Sequence, residues 1–159
     1  MGTGPVQYAA SGKINSQLKV KRVYYVGTTA LVRGAVLVYD QQATFAAFTK
    51  GPGIDVDLSA GTDSELFAGI VDDSSVGSTG GWIDIIVPQP GDVFWARVAS
   101  GLDNGDGVTV QAASTDQGFA DSAAFTENDV AICLMDEDAA DNPFASDNLA
   151  PLLWAGGTA

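Results

Sequence analysis

The chain of 159 residues contains no histidine, and Cys133 is its single cysteine. The triad base, the commonest general acid and the commonest transition-metal ligand are therefore missing together. A zinc site of the Cys/His type cannot be assembled from one thiol, nor can an intrachain disulfide. No glycine-rich loop runs into Lys-Ser or Lys-Thr, so the phosphate cradle of a P-loop is absent. Twenty acidic residues leave carboxylate pairs of the glycosidase kind arithmetically open. Nothing singles out one pair: Asp72 and Asp73 stand beside Ser74 and Ser75 in a loop-like stretch, and successive residues of a strand point apart. No catalytic residue is assigned, and the chain is not expected to be an enzyme.

Calcium is the natural test for so many aspartates. An EF-hand loop places acids or amides at its first, third and fifth positions ahead of a glycine. Counting back from Gly107 puts Leu102, Asn104 and Asp106 there, so the first ligand is missing. Asp136, Glu137, Asp138 and Asp141 read as a solvated acidic turn. No metal and no cofactor are expected. Cys133 lies within the apolar run Val130–Met135, where a buried inert thiol is the expected state.

The net charge of −13 is unevenly spread. Residues 1–50 hold Lys13, Lys19, Lys21, Arg22, Arg33 and Lys50 against Asp40 alone, whereas the rest holds nineteen acids against Arg97. Two readings of this asymmetry stay open: a basic arm lying on the acidic body of another subunit, or basic strands pairing with acidic loops of the same chain. The few basic groups and the acidic body argue against nucleic acid as a partner. No apolar run approaches the roughly 18 residues needed to span a bilayer, and Met1–Pro5 lacks the charged and apolar regions of a leader.

The elements that must carry any surface chemistry are strands. Leu66–Val98 contains three short runs rich in β-branched and aromatic residues, Leu66–Val71, Trp82–Val87 and Val93–Val98, each bounded by Gly, Pro, Asp or Ser. This stretch is expected to supply the barrel core. Leu18–Val26 reads as a long strand whose even positions, Leu18, Val20, Tyr24 and Val26, form an apolar face interrupted by Arg22. Its odd positions begin with Lys19 and Lys21, a solvated or contact face. Ala35–Tyr39, Val108–Gln111 and Val130–Met135 are further strands. Residues 40–65 are expected to be mostly loop, with Phe45 and Phe48 facing inward from one helical turn. Asp121–Phe125 is expected to hold a helical turn. The fold class is all-β: a single-domain β-barrel or β-sandwich of about seven to eight short strands. The expected divisions are an extended N-terminal arm over 1–17, the body over 18–135, and an acidic then apolar C-terminal tail over 136–159.

One set of segments carries a resemblance. In order these are Tyr25-Val26-Gly27, Gly34–Val38, Phe67-Ala68-Gly69-Ile70-Val71, Gly81–Val87, Pro90-Gly91-Asp92-Val93 and Gly105–Thr109. Across roughly residues 20–135 this succession of strands and glycine turns resembles the small β-rich decoration, cement or auxiliary head proteins of bacteriophages. The resemblance implies a non-enzymatic virion protein on the outer capsid surface, assembled in the host cytoplasm. Its implied partners are the major capsid protein and itself, often as a homotrimer. The arm and the tail are then the expected contact elements, through Val6, Tyr8, Lys13, Lys19, Lys21, Leu152, Leu153 and Trp154. Trp154 either folds back or anchors in a neighbour's groove. Two alternatives stand beside this reading. One is a head-fibre or tail-associated virion component. The other is a carbohydrate-binding β-module, which requires Trp82, Trp95 and Tyr24 on an exposed flat face.

Overall fold

The computed structural model describes residues 14–59, 66–110, 117–122 and 129–155. Ten strands lie among them: β1 (Val20–Tyr25), β2 (Val36–Tyr39), β3 (Asp55–Leu58), β4 (Phe67–Val71), β5 (Gly81–Ile86), β6 (Val93–Arg97), β7 (Gly107–Val110), β8 (Phe119–Asp121), β9 (Ala131–Cys133) and β10 (Leu149–Trp154). The first five close into a barrel in the order β1-β3-β2-β4-β5, sealed by antiparallel pairing of β5 with β1. The last five form an antiparallel sheet in the order β6-β10-β9-β7-β8. A bridge from Val98 to Phe119 ties the end of the β6 side to β8. The all-β class agrees with the sequence; the strand count and the division into barrel plus second sheet do not. Three strands escape the sequence pattern: β3 within the expected loop, β8, and β10 within the expected tail.

Two apolar clusters explain why the central strands read as unbroken hydrophobic runs. One fills the barrel with Val23, Tyr25, Leu37, Val56, Ile83, Ile85 and their neighbours. The other lies between the barrel wall and the second sheet, where Val36, Val38, Ile70 and Ile86 meet Phe94, Val108, Phe119 and Leu152. Successive side chains of a strand point to opposite faces. Leu37 therefore enters the barrel while Val36 and Val38 enter the second core. A strand buried on both faces has no polar alternation to display. The Leu66–Val98 stretch is thus split between the two sheets, since β4 and β5 are barrel strands and β6 is not.

Gly69 marks the closest approach in the barrel wall. A Cβ there would run into the carbonyl oxygen of Ile86 on β5, and the β2–β4 register shifts beside it, between Leu37 and Val38. Gly34, with φ of 75°, turns the chain into β2 and accepts the Arg97 N–H at 2.9 Å, linking the barrel to the second sheet.

The parity expected for β1 is inverted. Val23 and Tyr25 are fully buried inside the barrel, whereas Val20 is 53% exposed. Lys21 shares the inward parity but lies at the barrel mouth, where its Nζ donates to Tyr39 Oη at 2.9 Å and to the Gly53 carbonyl at 3.3 Å. The lysines at the start of the strand therefore mask its inward face. Residues 45–47 do form a single 3-10 turn, but Phe45 points outward and is 77% exposed. Of the helical turn expected at Asp121–Phe125, Asp121 ends β8 and residues 123–125 lie outside the described residues.

Candidate contact surfaces

The segment before β1 is stapled to the second sheet. In the β6–β10 ladder Trp95 stands opposite Pro151, which has no N–H to give. The Trp95 N–H and carbonyl therefore face the open side of β6. Asn15 fills that side: its Oδ1 accepts the Trp95 N–H at 2.7 Å and its Nδ2 donates to the Trp95 carbonyl at 2.8 Å. Asn15 holds φ of 57°, a left-handed conformation that asparagine tolerates better than most residues. Beside it Ile14, Trp95, Phe144 and Leu149 make a small third cluster on the outer side of the sheet. Arg33 stacks on Phe144 at 5.0 Å and pairs with Asp73 at 3.2 Å and Asp147 at 3.5 Å. Arg22 pairs with Asp84 at 3.0 Å. For these two arginines the charge asymmetry is met within the chain.

The expected contact residues scatter. Val6, Tyr8 and Lys13 lie outside the described residues. Lys19 is exposed, and Lys21 is engaged at the barrel mouth. The apolar tail is strand β10, running between β6 and β9 in the middle of the second sheet. Leu152 is fully buried there, so its side chain belongs to the core of its own chain. Trp154 folds back, half-buried, with its ring 4.9 Å from that of Phe67 and 6.1 Å from that of Phe94. Leu153 takes the opposite parity and reaches the outer face.

That outer face carries a row the sequence does not reveal. Leu153 stands opposite Val93 on one side and Ile132 on the other. Leu134, whose N–H binds the Pro151 carbonyl at 2.9 Å, extends the row to a second rank. Val93 is 41% exposed and Leu134 is 46% exposed, with Leu153, Ile132 and Pro151 half-buried between them. An apolar row across adjacent strands, facing solvent, is the kind of surface that packs against another protein.

Acidic loops flank it. Asp136 Oδ1 accepts both the backbone N–H and the side-chain Nδ2 of Asn104, at 2.8 and 2.7 Å, which holds its carboxyl below the usual range. Asp103 is held above the usual range, first by the Asp136 charge, then by burial and by Asp106, Asp138 and Asp121. The signs are opposite. Asp136 contributes stability above its unfolded pKa that is lost as pH falls through its folded one, while Asp103 contributes stability in acid that is lost as pH rises through its raised value. Asp103→Asn is therefore expected to raise the melting temperature at pH 7 and to converge with the parent near pH 3. Thermal unfolding at the two pH values checks this; a lower melting temperature for the variant at pH 7 would contradict it.

Among the described residues no group of three Cys, Asp or Glu side chains is arranged to hold a metal ion. Leu102, at the first position of the EF-hand count, is fully buried. Cys133 is buried, its thiol pushed up to about 11 chiefly by that burial, and its Sγ lies 3.0 Å from the Met135 carbonyl oxygen. A small cleft of 170 Å³ between Tyr39, Asp40, Asp57 and Leu66 holds a carboxyl, that of Asp57, raised first by burial and also by Asp40.

A different character marks the outside of the barrel. Tyr24 and Trp82 stand opposite each other on β1 and β5, with Arg22 and Asp84 two residues along the same ladder. Trp82 is 51% exposed, whereas Trp95 is buried. The flat face of three aromatic residues is therefore not formed, since Trp95 is enclosed and the Tyr24 and Trp82 rings stand at 84°, but Trp82 still presents its ring to solvent.

No protein-family model matches the chain, and no curated protein matches it. Among solved structures it is similar to the crystal structure of the head fiber gp8.5 N base in bacteriophage phi29. The TM-score is 0.47 at 12% sequence identity, over 89% of this chain and 98% of that one. At that level the likeness carries no argument about activity.

Proposed function

We propose that the chain is a structural protein of the outside of a phage head, as the base of a head fibre or as a decoration protein. What supports this reading is the place of the head-protein motifs in the fold. Phe67–Val71 is β4, Gly81–Ile86 is β5, Pro90-Gly91-Asp92 turns into β6, and Gly105-Asp106 turns into β7. Gly34, Gly91 and Gly105 all take positive φ at those turns, as the motif order requires. The motifs are thus the frame of the barrel and its attached sheet. A protein that works by occupying a lattice in many copies needs extended contact faces and no deep pocket.

The contact face in this reading is the apolar row of the second sheet, Val93, Leu153, Ile132 and Leu134, together with residues 1–12 of the arm, since Ile14 and Asn15 are spent on the chain's own sheet. Leu153 remains a contact residue, and Leu152 does not. Replacing Val93 and Leu134 by glutamate puts two charges on that face without touching either main core. The double variant is expected to unfold like the parent and to lose subunit or head association. Light scattering reads the first: a compact assembly at three times 16.3 kDa for the parent and a smaller species for the variant. Small-angle scattering separates the two forms of the proposal, since a fibre component is elongated and a decoration trimer is compact. A parent that neither self-associates nor sediments with heads would overturn both.

A further inference from the structure

We propose a second binding surface, on the outer face of the β1–β5 ladder, for a saccharide that carries an isolated carboxylate. Trp82 is its stacking platform and Lys50 its counter-charge. The face is built in ranks. Tyr24 meets Trp82 edge-on, with ring centroids 5.4 Å apart and planes at 84°, which leaves the indole standing half in solvent. Two residues along, about 7 Å away on the same face, Arg22 grips Asp84 through Nε at 3.0 Å and Nη2 at 3.4 Å. A pyranose has an apolar C–H face and a rim of hydroxyls. An exposed indole suits the first, and a planar array of N–H donors and carboxylate oxygens one rank away suits the second.

Lys50 supplies the charge selectivity. Its Nζ lies 5.1 Å from the Tyr24 ring centre and 6.0 Å from that of Trp82. Whereas Arg22 and Arg33 are each paired with aspartate, Lys50 has no carboxylate partner among the described residues. Its backbone is nevertheless held firmly. Asp55 is fully buried and accepts the Thr49 N–H at 2.6 Å and the Lys50 N–H at 2.9 Å. A single ammonium poised over aromatic rings, in a chain of net charge −13, selects a ligand with one negative group. A nucleic acid strand would bring a phosphate at every nucleotide against the acidic body.

The test is a fluorescence titration of the full chain with 3′-sialyllactose, with lactose and an oligo-dT strand as comparators. Sialyllactose is expected to give a saturable change and to bind about fivefold more tightly than lactose, the scale of one exposed cation contact. Trp82→Ala removes the response to both sugars. Lys50→Ala brings sialyllactose down to the affinity of lactose, and Lys19→Ala leaves both unchanged. The three side chains are exposed, and urea unfolding of each variant confirms its fold. Absence of a saturable response in the parent, an equal response in Trp82→Ala, or tighter binding of oligo-dT would overturn the proposal.

Discussion

A chain truncated after Asn148 is expected not to fold. The eleven residues removed include β10, which lies between β6 and β9, so their loss leaves β6 without its ladder partner and splits the second sheet. Leu149, Ala150 and Leu152 are fully buried, and Trp154 closes the second core against Phe67 and Phe94. Replacing a buried leucine by alanine costs about 2–5 kcal/mol. Losing two leucines and the ladder exceeds the roughly 5–15 kcal/mol that hold a typical domain together. The truncated chain should lack near-ultraviolet circular dichroism and a cooperative unfolding transition. Leu152→Ala offers the graded version, destabilised by about 2–5 kcal/mol. A truncated chain with a cooperative transition would show that this segment is an appendage and that the core is complete without it.

Asn15→Ala is the second large effect. The substitution strands the N–H and the carbonyl of Trp95 on the open side of β6, where Pro151 on the other side offers no compensation. Each unsatisfied buried group costs about 1–3 kcal/mol, so for the two a loss of about 2–6 kcal/mol is expected. Alanine also resists the left-handed backbone at this position, which adds to the loss. Ile14 would come away from Trp95 and Phe144, so Trp95 emission should shift to longer wavelength before the main transition. Urea unfolding followed by tryptophan emission measures both. An unchanged midpoint would mean that the segment before β1 is not fastened through this pair of bonds.

The last strand and Asn15 also mark where the sequence is legible and where it is not. The runs Leu66–Val71, Trp82–Val87 and Val93–Val98 announce strands because β-branched and aromatic residues stand between glycine and proline turns. Which sheet each belongs to is hidden, since β2 and β4 are buried on both faces and show no alternation to orient them, and β5 alternates only as far as Ile85 before Ile86 turns into the second core. In β1 the opening lysines suggest the wrong parity, because Lys21 closes the barrel mouth while Val23 and Tyr25 behind it face inward. β10 is masked by Pro151, a residue that argues against a central strand. It is accommodated here because Trp95, opposite it, spends its backbone groups on Asn15. A link across 80 residues leaves no local signal. The apolar row is invisible for the same reason: Val93, Ile132, Leu134 and Leu153 become neighbours only through the order of β6, β10 and β9. Phe45 is ordinary in the sequence and conspicuous only once its exposure is known.

The central claim is that this chain is a head-surface protein, and co-sedimentation with heads assembled without it tests that most directly. The parent should pellet with the heads at a saturating, fixed ratio to the lattice protein. A chain lacking residues 1–12, and the Val93→Glu/Leu134→Glu variant, should remain folded and stay in the supernatant. A parent that stays in the supernatant at every concentration would contradict the account.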